Sequence, residues 1–526
     1  MRPRRGLLVV SDLHLGAGVD PNTGLLSRHE DFLFDEEFAA FLDHHRSDAL
    51  WSEVEWTLII AGDFIDFLQV TDLPSPPGSE EEVPAAGSGL RSDPTYGLKA
   101  GPKESAWKLS RVAEGHPRTF RALAEFAQTH RVVIISGNHD AEFVFPEVRT
   151  QLQRELGRCL GKSGSEFADT VEFNPWFYLE DGVYVEHGHQ YDSWNSFRFV
   201  LDPRLAATQG GNTPNRNDLE LPLGTLFVRY VFNRVELDLP FADNLKPARR
   251  FLLWFALFRP WSALRFFLRD GCEMLRRIRR KWTSPEGEAQ ESKAATPFVL
   301  EEGVSQARPK EEGRWSSRDI ALMEELNRLA ETPVLSDHHS LKRRIFRRLT
   351  GPVVLPTLIV LALAWFGASL LQVVRPFLVF TLPAPLASQL DTLWGRLPAH
   401  LQDFLLGSFW LFAGLTAFSY RRLQRPDTRL RDRLRERSAA VRRVAGCSHV
   451  IMGHTHDADR LRDPQGAYFN CGTWTKVFSP EERVIREEKE LTFVRLLRIE
   501  NGWRGDLMRW EGIACDSRPA LVFRDR

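Results

Sequence analysis

The chain has 526 residues, room for about three ordinary domains. Its 69 Lys and Arg balance 70 Asp and Glu, and a net charge of -1 excludes a general affinity for polyanions, so no nucleic-acid partner is expected. Five cysteines stand far apart without a C-x-x-C pair, which excludes a disulfide framework or a zinc ribbon and fits a reducing compartment.

The first apolar run, Leu7 to Val10, is shorter than the ~7–15-residue core of a secretory signal and reads as a buried strand. It leads into SDLHLG, which carries Asp12 and His14. Asp31 to His45 has helical spacing, with Phe34, Phe38, Phe41 and Leu42 on one face. Thr57 to Ala61 is a second strand and ends at GDFID, with Asp63 and Asp66. Strand, ligand-bearing loop, helix, strand, ligand-bearing loop is the order in which α/β proteins present chemistry, at the C-terminal ends of strands.

Pro74 to Pro102 is rich in Pro, Gly, Ser and Glu and reads as a mobile surface loop. A helix around Thr119 to Thr129 and a strand Val132 to Ser136 follow, the strand delivering GNHD with Asn138, His139 and Asp140. A helix near Glu147 to Leu160 and a strand Val183 to Glu186 lead to HGHQYD, with His187, His189 and Asp192. Leu201 to Trp282 mixes aromatics with arginine and has two readings, a packed helical insert or an amphipathic surface on anionic lipid. Thr283 to Gly313 reads as a polar linker.

Val353 to Val374 is twenty-two residues without a charge, against the ~20 that a membrane span needs. Phe404 to Tyr420 is a second apolar run of seventeen. Lys342, Arg343, Arg344, Arg347 and Arg348 precede the first run; Arg421, Arg422, Arg425, Arg429 and Arg431 follow the second. Beyond Arg375 the connecting segment holds only Arg396. These flanks favour a two-span hairpin over a buried one, with both ends on the cytoplasmic side of the inner membrane. A charged helix, Asp427 to Arg443, leads to strand His449 to Met452 and then GHTH, with His454 and His456. Tyr468 to Asn470 and Leu491 to Ile499 are the last predicted strands. The expected divisions are residues 1–200 and 423–526 as two parts of one catalytic domain, 201–350 as a helical basic-aromatic insert with a linker, and 351–422 as the hairpin.

Carboxylate, imidazole and amide donors on five loops suit divalent Mn, Fe or Zn, and their number suits two ions better than one. Gly62, Gly137 and Gly453 stand where the backbone turns sharply beside the ligands. D-x-H, GD-x-x-D, GNHD, H-G-H and GHTH in this order resemble the calcineurin-like metallophosphoesterase superfamily, over Gly6 to Asn195 and Gly446 to the C-terminus. The resemblance implies a four-layer α/β/β/α sandwich. It implies one metal on Asp12, His14, Asp63 and His456, and a second on Asp63, Asn138, His187 and His454. His139 would be the catalytic histidine, oriented by Asp140. His189 is a candidate on the substrate side, Asp66 supports a ligand, and Asp192 and Asn195 line the pocket or serve structure.

Within the superfamily, SDLHLG and GHTH are similar to bacterial UDP-2,3-diacylglucosamine pyrophosphohydrolases, which act on a lipid at the inner membrane. That family carries arginine where this chain has His139, and aspartate where it has His189. The expected activity is hydrolysis of a phosphodiester, phosphomonoester or pyrophosphate, on a substrate that is lipid-linked or close to membrane lipid. The other classes are a membrane-anchored scaffold without activity and a soluble nucleotide phosphodiesterase.

Overall fold

The computed structural model describes residues 4–51, 53–74, 90, 92–93, 96–204, 219, 221–236, 317–331, 333, 374, 376–377, 380–395, 399, 428–479, 484–485, 490–511 and 517–520. Apart from Val374, both apolar runs of the expected membrane hairpin lie outside these residues, as do the linker and the aromatic-arginine stretch after Glu236. Among the described residues no helix is long and apolar enough to cross a membrane.

The described chain is mixed α/β. Its elements in order are β1 (Arg4–Val10), α1 (Asp35–Ser47), β2 (Val54–Ala61), a ribbon of β3 (Ser92–Asp93) and β4 (Gly97–Leu98), α2 (Pro102–Gly115), α3 (Pro117–Ala127), β5 (Arg131–Ile135) and α4 (Pro146–Leu160). Then come β6 (Val171–Asn174), β7 (Phe177–Glu180) and β8 (Val183–Glu186). Helix Arg429–Ala445 opens the last part, followed by β9 (His449–Met452), β10 (Asp459–Asp463) and β11 (Gly466–Asn470). A second ribbon of β12 (Phe478–Ser479) and β13 (Val484–Ile485) precedes β14 (Thr492–Ile499), β15 (Gly502–Trp510) and β16 (Ser517–Pro519).

One sheet has the order β16-β15-β14-β1-β2-β5-β6, and the other β10-β11-β9-β8-β7. Alternate residues of each strand point to opposite faces. Val9, Ile59, Val133 and Leu496 of the first sheet meet Val185, Ile451 and Phe469 of the second in one buried cluster, so the sheets pack face to face. Leu8, Leu58, Ile60 and Val132 point the other way, into a cluster with Phe38, Leu109, Leu123 and Leu152 of α1 to α4. Val450 and Met452 meet Leu434 and Val441 of helix Arg429–Ala445 in the same fashion.

Strands β1, β2 and β5 run parallel, in register from Val10 opposite Ile60 and from Ile60 opposite Ile134. Strands β8 and β9 are parallel in the second sheet. All five motif loops therefore leave the C-terminal ends of parallel strands. This placement follows from short strands that run directly into the motif residues.

Most of the stretch Pro74 to Pro102 lies outside the described residues; its described end, residues 96–102, differs from the loop expectation. Tyr96 and Leu98 are buried, Tyr96 packs edge-on against Tyr230 at 4.9 Å, and a helix begins at Pro102. Pro at the first helical turn starts this helix rather than ending a loop. The described residues 221–236 pack against the two-sheet part of the chain, with Leu223, Leu226 and Val231 buried and Asn233 Nδ2–H donating to the Leu68 carbonyl at 2.8 Å.

A buried polar clamp fixes the turn after Asp12 and His14. Glu30 accepts the backbone N–H groups of Gly16, Gly18 and Phe32, at 3.1, 2.6 and 3.0 Å. His116 stands behind it, with Nε2 3.3 Å from Glu30 and Nδ1 2.9 Å from Asp35. Burial disfavours the charged imidazole, but Glu30 and Asp35 overcome this and push His116 up to about 10. A raised pKa stabilises the fold fully below the unfolded value, ~6.5, and the gain is lost as pH rises through the folded value. His116→Gln is expected to cost about 3 kcal/mol at pH 6, because it strands a buried carboxylate. Urea melts at pH 6 and pH 10 should show the gap from wild type closing at the higher pH.

Candidate metal centre

Backbone strain marks the site. Among the described residues seven non-glycine positions have positive φ, and five of them are Asp12, His14, Asp63, His454 and His456, at 51° to 70°. The left-handed region costs such residues ~1–3 kcal/mol each and persists only where neighbours enforce it. Here the loops enforce it on each other. His14 N–H donates to the Asp63 carbonyl at 2.9 Å, Asp12 N–H to the Gly62 carbonyl at 3.2 Å, and Gly453 N–H to the His187 carbonyl at 2.9 Å.

Each central carboxylate is anchored by one oxygen and leaves the other turned inward. Asp12 Oδ2 accepts His454 N–H at 2.9 Å and the Ser11 hydroxyl at 2.6 Å. Its Oδ1 makes no hydrogen bond, although His456 Nε2 lies 3.1 Å away. Asp63 Oδ1 accepts His139 N–H at 2.9 Å. Its Oδ2 makes none either, with His187 Nε2 at 3.1 Å and His14 Nε2 at 3.6 Å. Oxygens and ring nitrogens thus converge without pointing along a hydrogen bond to one another.

The histidines are held by their other nitrogens. His187 Nδ1 lies 2.9 Å from the Ala61 carbonyl, and His14 Nδ1 lies 3.1 Å from Asp66 Oδ2. A carbonyl accepts only from an N–H, so the second proton of His187 sits on Nε2 and its loss leaves Nε2 with the lone pair toward Asp63. His14 Nε2 and His456 Nε2 face each other at 3.2 Å.

Three groups have ligand atoms close enough to share a cation: Asp12, His14 and His456; His14, Asp63 and His139; and Asp63, His187 and His454. The Asn138 amide oxygen stands 3.3 Å from His187 Nε2. All seven metal candidates of the sequence reading, Asp12, His14, Asp63, Asn138, His187, His454 and His456, are buried and assembled here. Inward-facing carboxylate oxygens with imidazole and amide donors fit a divalent ion of the Mn, Fe or Zn kind.

Charge points the same way. Burial works against the Asp12 carboxylate, but His456 and His187 overcome it and hold the carboxyl well below its usual range. Asp63 is likewise held low against burial by His187 and His139, and Asp66 by His139 and His14. Burial depresses His187, yet Asp63 and Asp12 raise it to about 9. Three buried carboxylates therefore need positive charge beside them, supplied by protons on the histidines or by a cation that displaces those protons.

One assignment is corrected. The sequence reading gave Asp140 the task of orienting His139. Asp140 instead accepts the N–H groups of Gly137 and Phe64, at 2.6 and 2.8 Å, and burial followed by the Asp63 charge pushes it up to about 7. Asp66 takes the orienting place, with Oδ2 2.6 Å from His139 Nδ1. The turn that sets His139 into the site directs Asp140 onto the backbone N–H groups of Gly137 and Phe64. Asp192 also has a defined partner: its Oδ2 lies 3.2 Å from His454 Nε2 and accepts Asn195 Nδ2–H at 2.7 Å. His189 is buried beside His187, ring centres 5.4 Å apart, and is not among the grouped ligands.

Sequence reasoning missed two contributors. Ser11 donates to Asp12 and to the Ala61 carbonyl, and only its position before Asp12 hints at this. Thr225, in the insert, donates to the Asn138 carbonyl at 3.2 Å, for which no sequence signal exists. The glycines matter through close approach. A Cβ on Gly137 would lie 2.2 Å from Asp63 Oδ1 and 2.6 Å from its backbone nitrogen. Gly137→Ala is therefore expected to displace Asp63 and weaken Mn²⁺ binding at least ~10-fold by calorimetry, on the scale of losing a ligand's support.

Comparison of the chain with protein-family models, with curated proteins and with solved structures finds no match.

Proposed function

We propose that the chain is a metal-dependent phosphoesterase of the calcineurin-like type. The observation that carries this reading is the inward-facing pair Asp12 Oδ1 and Asp63 Oδ2, with Asp63 common to two of the three ligand groups. Asp12, His14, Asp63 and His456 would hold one ion, and Asp63, Asn138, His187 and His454 the other. When bound, such ions supply Lewis-acid charge for phosphoryl oxygens and activate water at neutral pH.

The chain's own residues do the rest. Asp63 keeps the two halves of the site in register. Asp66 holds the Nδ1 side of His139, which leaves Nε2 to deliver a proton to the leaving oxygen. Apolar packing of the insert beside Asn138 limits water on that side.

Two apolar runs with basic flanks support a site on the cytoplasmic face of a membrane and a lipid-linked phosphoester as substrate. Carbonate extraction tests the location: release of the chain into the supernatant would contradict it. Hydrolysis of 4-nitrophenyl phosphate and bis(4-nitrophenyl) phosphate with Mn²⁺ tests the activity. Turnover that EDTA abolishes and Mn²⁺ restores is expected; a rate indifferent to chelation would overturn the reading.

A further inference from the structure

The turn at residues 222–225 meets the second ligand set at two places. Thr225 is fully buried, and its hydroxyl donates to the Asn138 carbonyl at 3.2 Å. Gly224 N–H donates to the Trp194 carbonyl at 2.8 Å. The Gly224 backbone also lies flush against Asn195: a Cβ there would collide with Asn195 Oδ1 and stand 2.8 Å from its Cγ. Asn195 Nδ2–H donates to Asp192 Oδ2 at 2.7 Å, and the same oxygen lies 3.2 Å from His454 Nε2.

Both lines of contact end on a residue assigned to one ion. Thr225 fixes the backbone of Asn138. Gly224 seats Asn195, which fixes Asp192 beside His454. A carboxylate at Nε2 favours the tautomer with its proton there and leaves the lone pair on Nδ1, which is how a carboxylate behind a histidine orients it toward a metal. Other supports serve the first ligand set: Ser11 holds Asp12, and Asp66 holds His14. The residues that follow seat the turn from further away. Arg229 donates to the Leu98 carbonyl at 2.7 Å, Asn233 to the Leu68 carbonyl at 2.8 Å, and Gln69 to Glu236 at 3.0 Å. The segment therefore stays docked when the Thr225 hydroxyl alone is removed.

We infer that Thr225 and Gly224 are positioning residues for the second ion, and that docking of their turn and occupancy of that ion reinforce each other. This rests on the two-ion part of the phosphoesterase reading and deepens it: one half of the metal centre is completed by chain outside the five motifs. By linkage, whatever docking adds to the affinity for the ion, the ion adds to docking.

The test is calorimetric titration of the full-length, chelator-stripped chain with Mn²⁺, with 4-nitrophenyl phosphate hydrolysis measured alongside. Asn138→Ala and His14→Ala mark which of two binding events belongs to which ligand set. Thr225→Val, which exchanges the hydroxyl for a methyl, and Gly224→Ala should each weaken the Asn138-marked event about tenfold, as loss of a support behind a ligand does. The His14-marked event should keep its wild-type affinity. Thr225→Ser should restore the weakened event, and Thr225→Val should add little to the loss in Asn138→Ala. Both events belong to one chain, so a change in folded fraction lowers them alike and does not imitate the split. Hydrogen exchange reads the reverse direction at the Gly224 amide, which is bonded to the Trp194 carbonyl. Mn²⁺ should slow its exchange about tenfold in wild type and leave it unchanged in Asn138→Ala. Equal weakening of both events, weakening of neither, a loss that Thr225→Ser does not restore, or a Gly224 amide indifferent to Mn²⁺ would overturn the inference, while Mn²⁺-dependent hydrolysis leaves the phosphoesterase reading standing. A wild-type chain that binds one ion or none would overturn the two-ion reading and the inference together.

Discussion

Asp63→Asn is expected to leave at most one bound metal per chain and to lower 4-nitrophenyl phosphate hydrolysis about a thousandfold, roughly 4 kcal/mol in the barrier. The amide is nearly isosteric. Asn can still accept His139 N–H through one oxygen, so the loop has no steric reason to move. What changes is the inward atom. Where Oδ2 now faces His187 Nε2 at 3.1 Å and His14 Nε2 at 3.6 Å, an uncharged group would stand. The shared anion of two ligand groups is lost, and the neighbouring imidazoles lose the charge that holds them. Metal content by mass spectrometry and the hydrolysis rate should fall together. A variant that kept both its metal and its rate within tenfold of wild type would contradict the bridging role of Asp63.

His139→Ala is expected to lower kcat by about 10²–10⁴ with metal content retained, as loss of a proton-transferring histidine does. The geometry adds a sharper expectation. Asp66 Oδ2 serves both His139 Nδ1, at 2.6 Å, and His14 Nδ1, at 3.1 Å. Asp66→Asn should therefore reduce kcat and also weaken metal binding by about 10–100-fold, the usual cost of losing a carboxylate behind a ligand histidine. In a double-mutant cycle, Asp66→Asn should add little to the kcat loss of His139→Ala, because the two act as a unit. Asp140→Asn should act on folding of the Gly137 turn, and its kcat effect should add to that of His139→Ala. Coupling of His139 to Asp140 and not to Asp66 would contradict the pairing.

The strands and ligand loops were legible because each is local. Leu7 to Val10 and His449 to Met452 are short apolar runs stopped by a motif, and a buried parallel strand needs nothing more. The burial of Asp12, His14, Asp63 and the GHTH histidines together was legible as one set because their residue types are costly to bury singly.

Other features depended on distant partners. Asp140 is adjacent to His139 in sequence, yet Asp66 reaches the imidazole from another loop. Adjacency along a turn says little about where side chains point. Helix α2 was hidden by the Pro-Gly-rich stretch before it, and its Lys108 is buried with Nζ donating to the Phe67 carbonyl at 2.7 Å. Strands β10 and β15 carry charged residues at alternate or successive positions, DRLRD and GWRGDLMRW, which weakens an apolar pattern. An ion pair between the two sheets, Arg462 of β10 with Asp506 of β15 at 2.8 Å, joins these strands, and periodicity along one strand does not reveal it. The Thr225 contact to the Asn138 carbonyl arises from packing of the insert and has no local signature.

The most direct measurement is calorimetric titration of the chelator-stripped chain with Mn²⁺ in buffers of different ionisation enthalpy. Saturation at two ions per chain is expected, with release of protons on binding, since Asp63 and Asp12 hold His187 protonated up to about pH 9 before a cation arrives. Affinity should rise with pH as those protons become easier to displace. Absence of saturable binding by Mn²⁺, Fe²⁺ or Zn²⁺ in the folded chain would contradict a metal centre at Asp12 and Asp63.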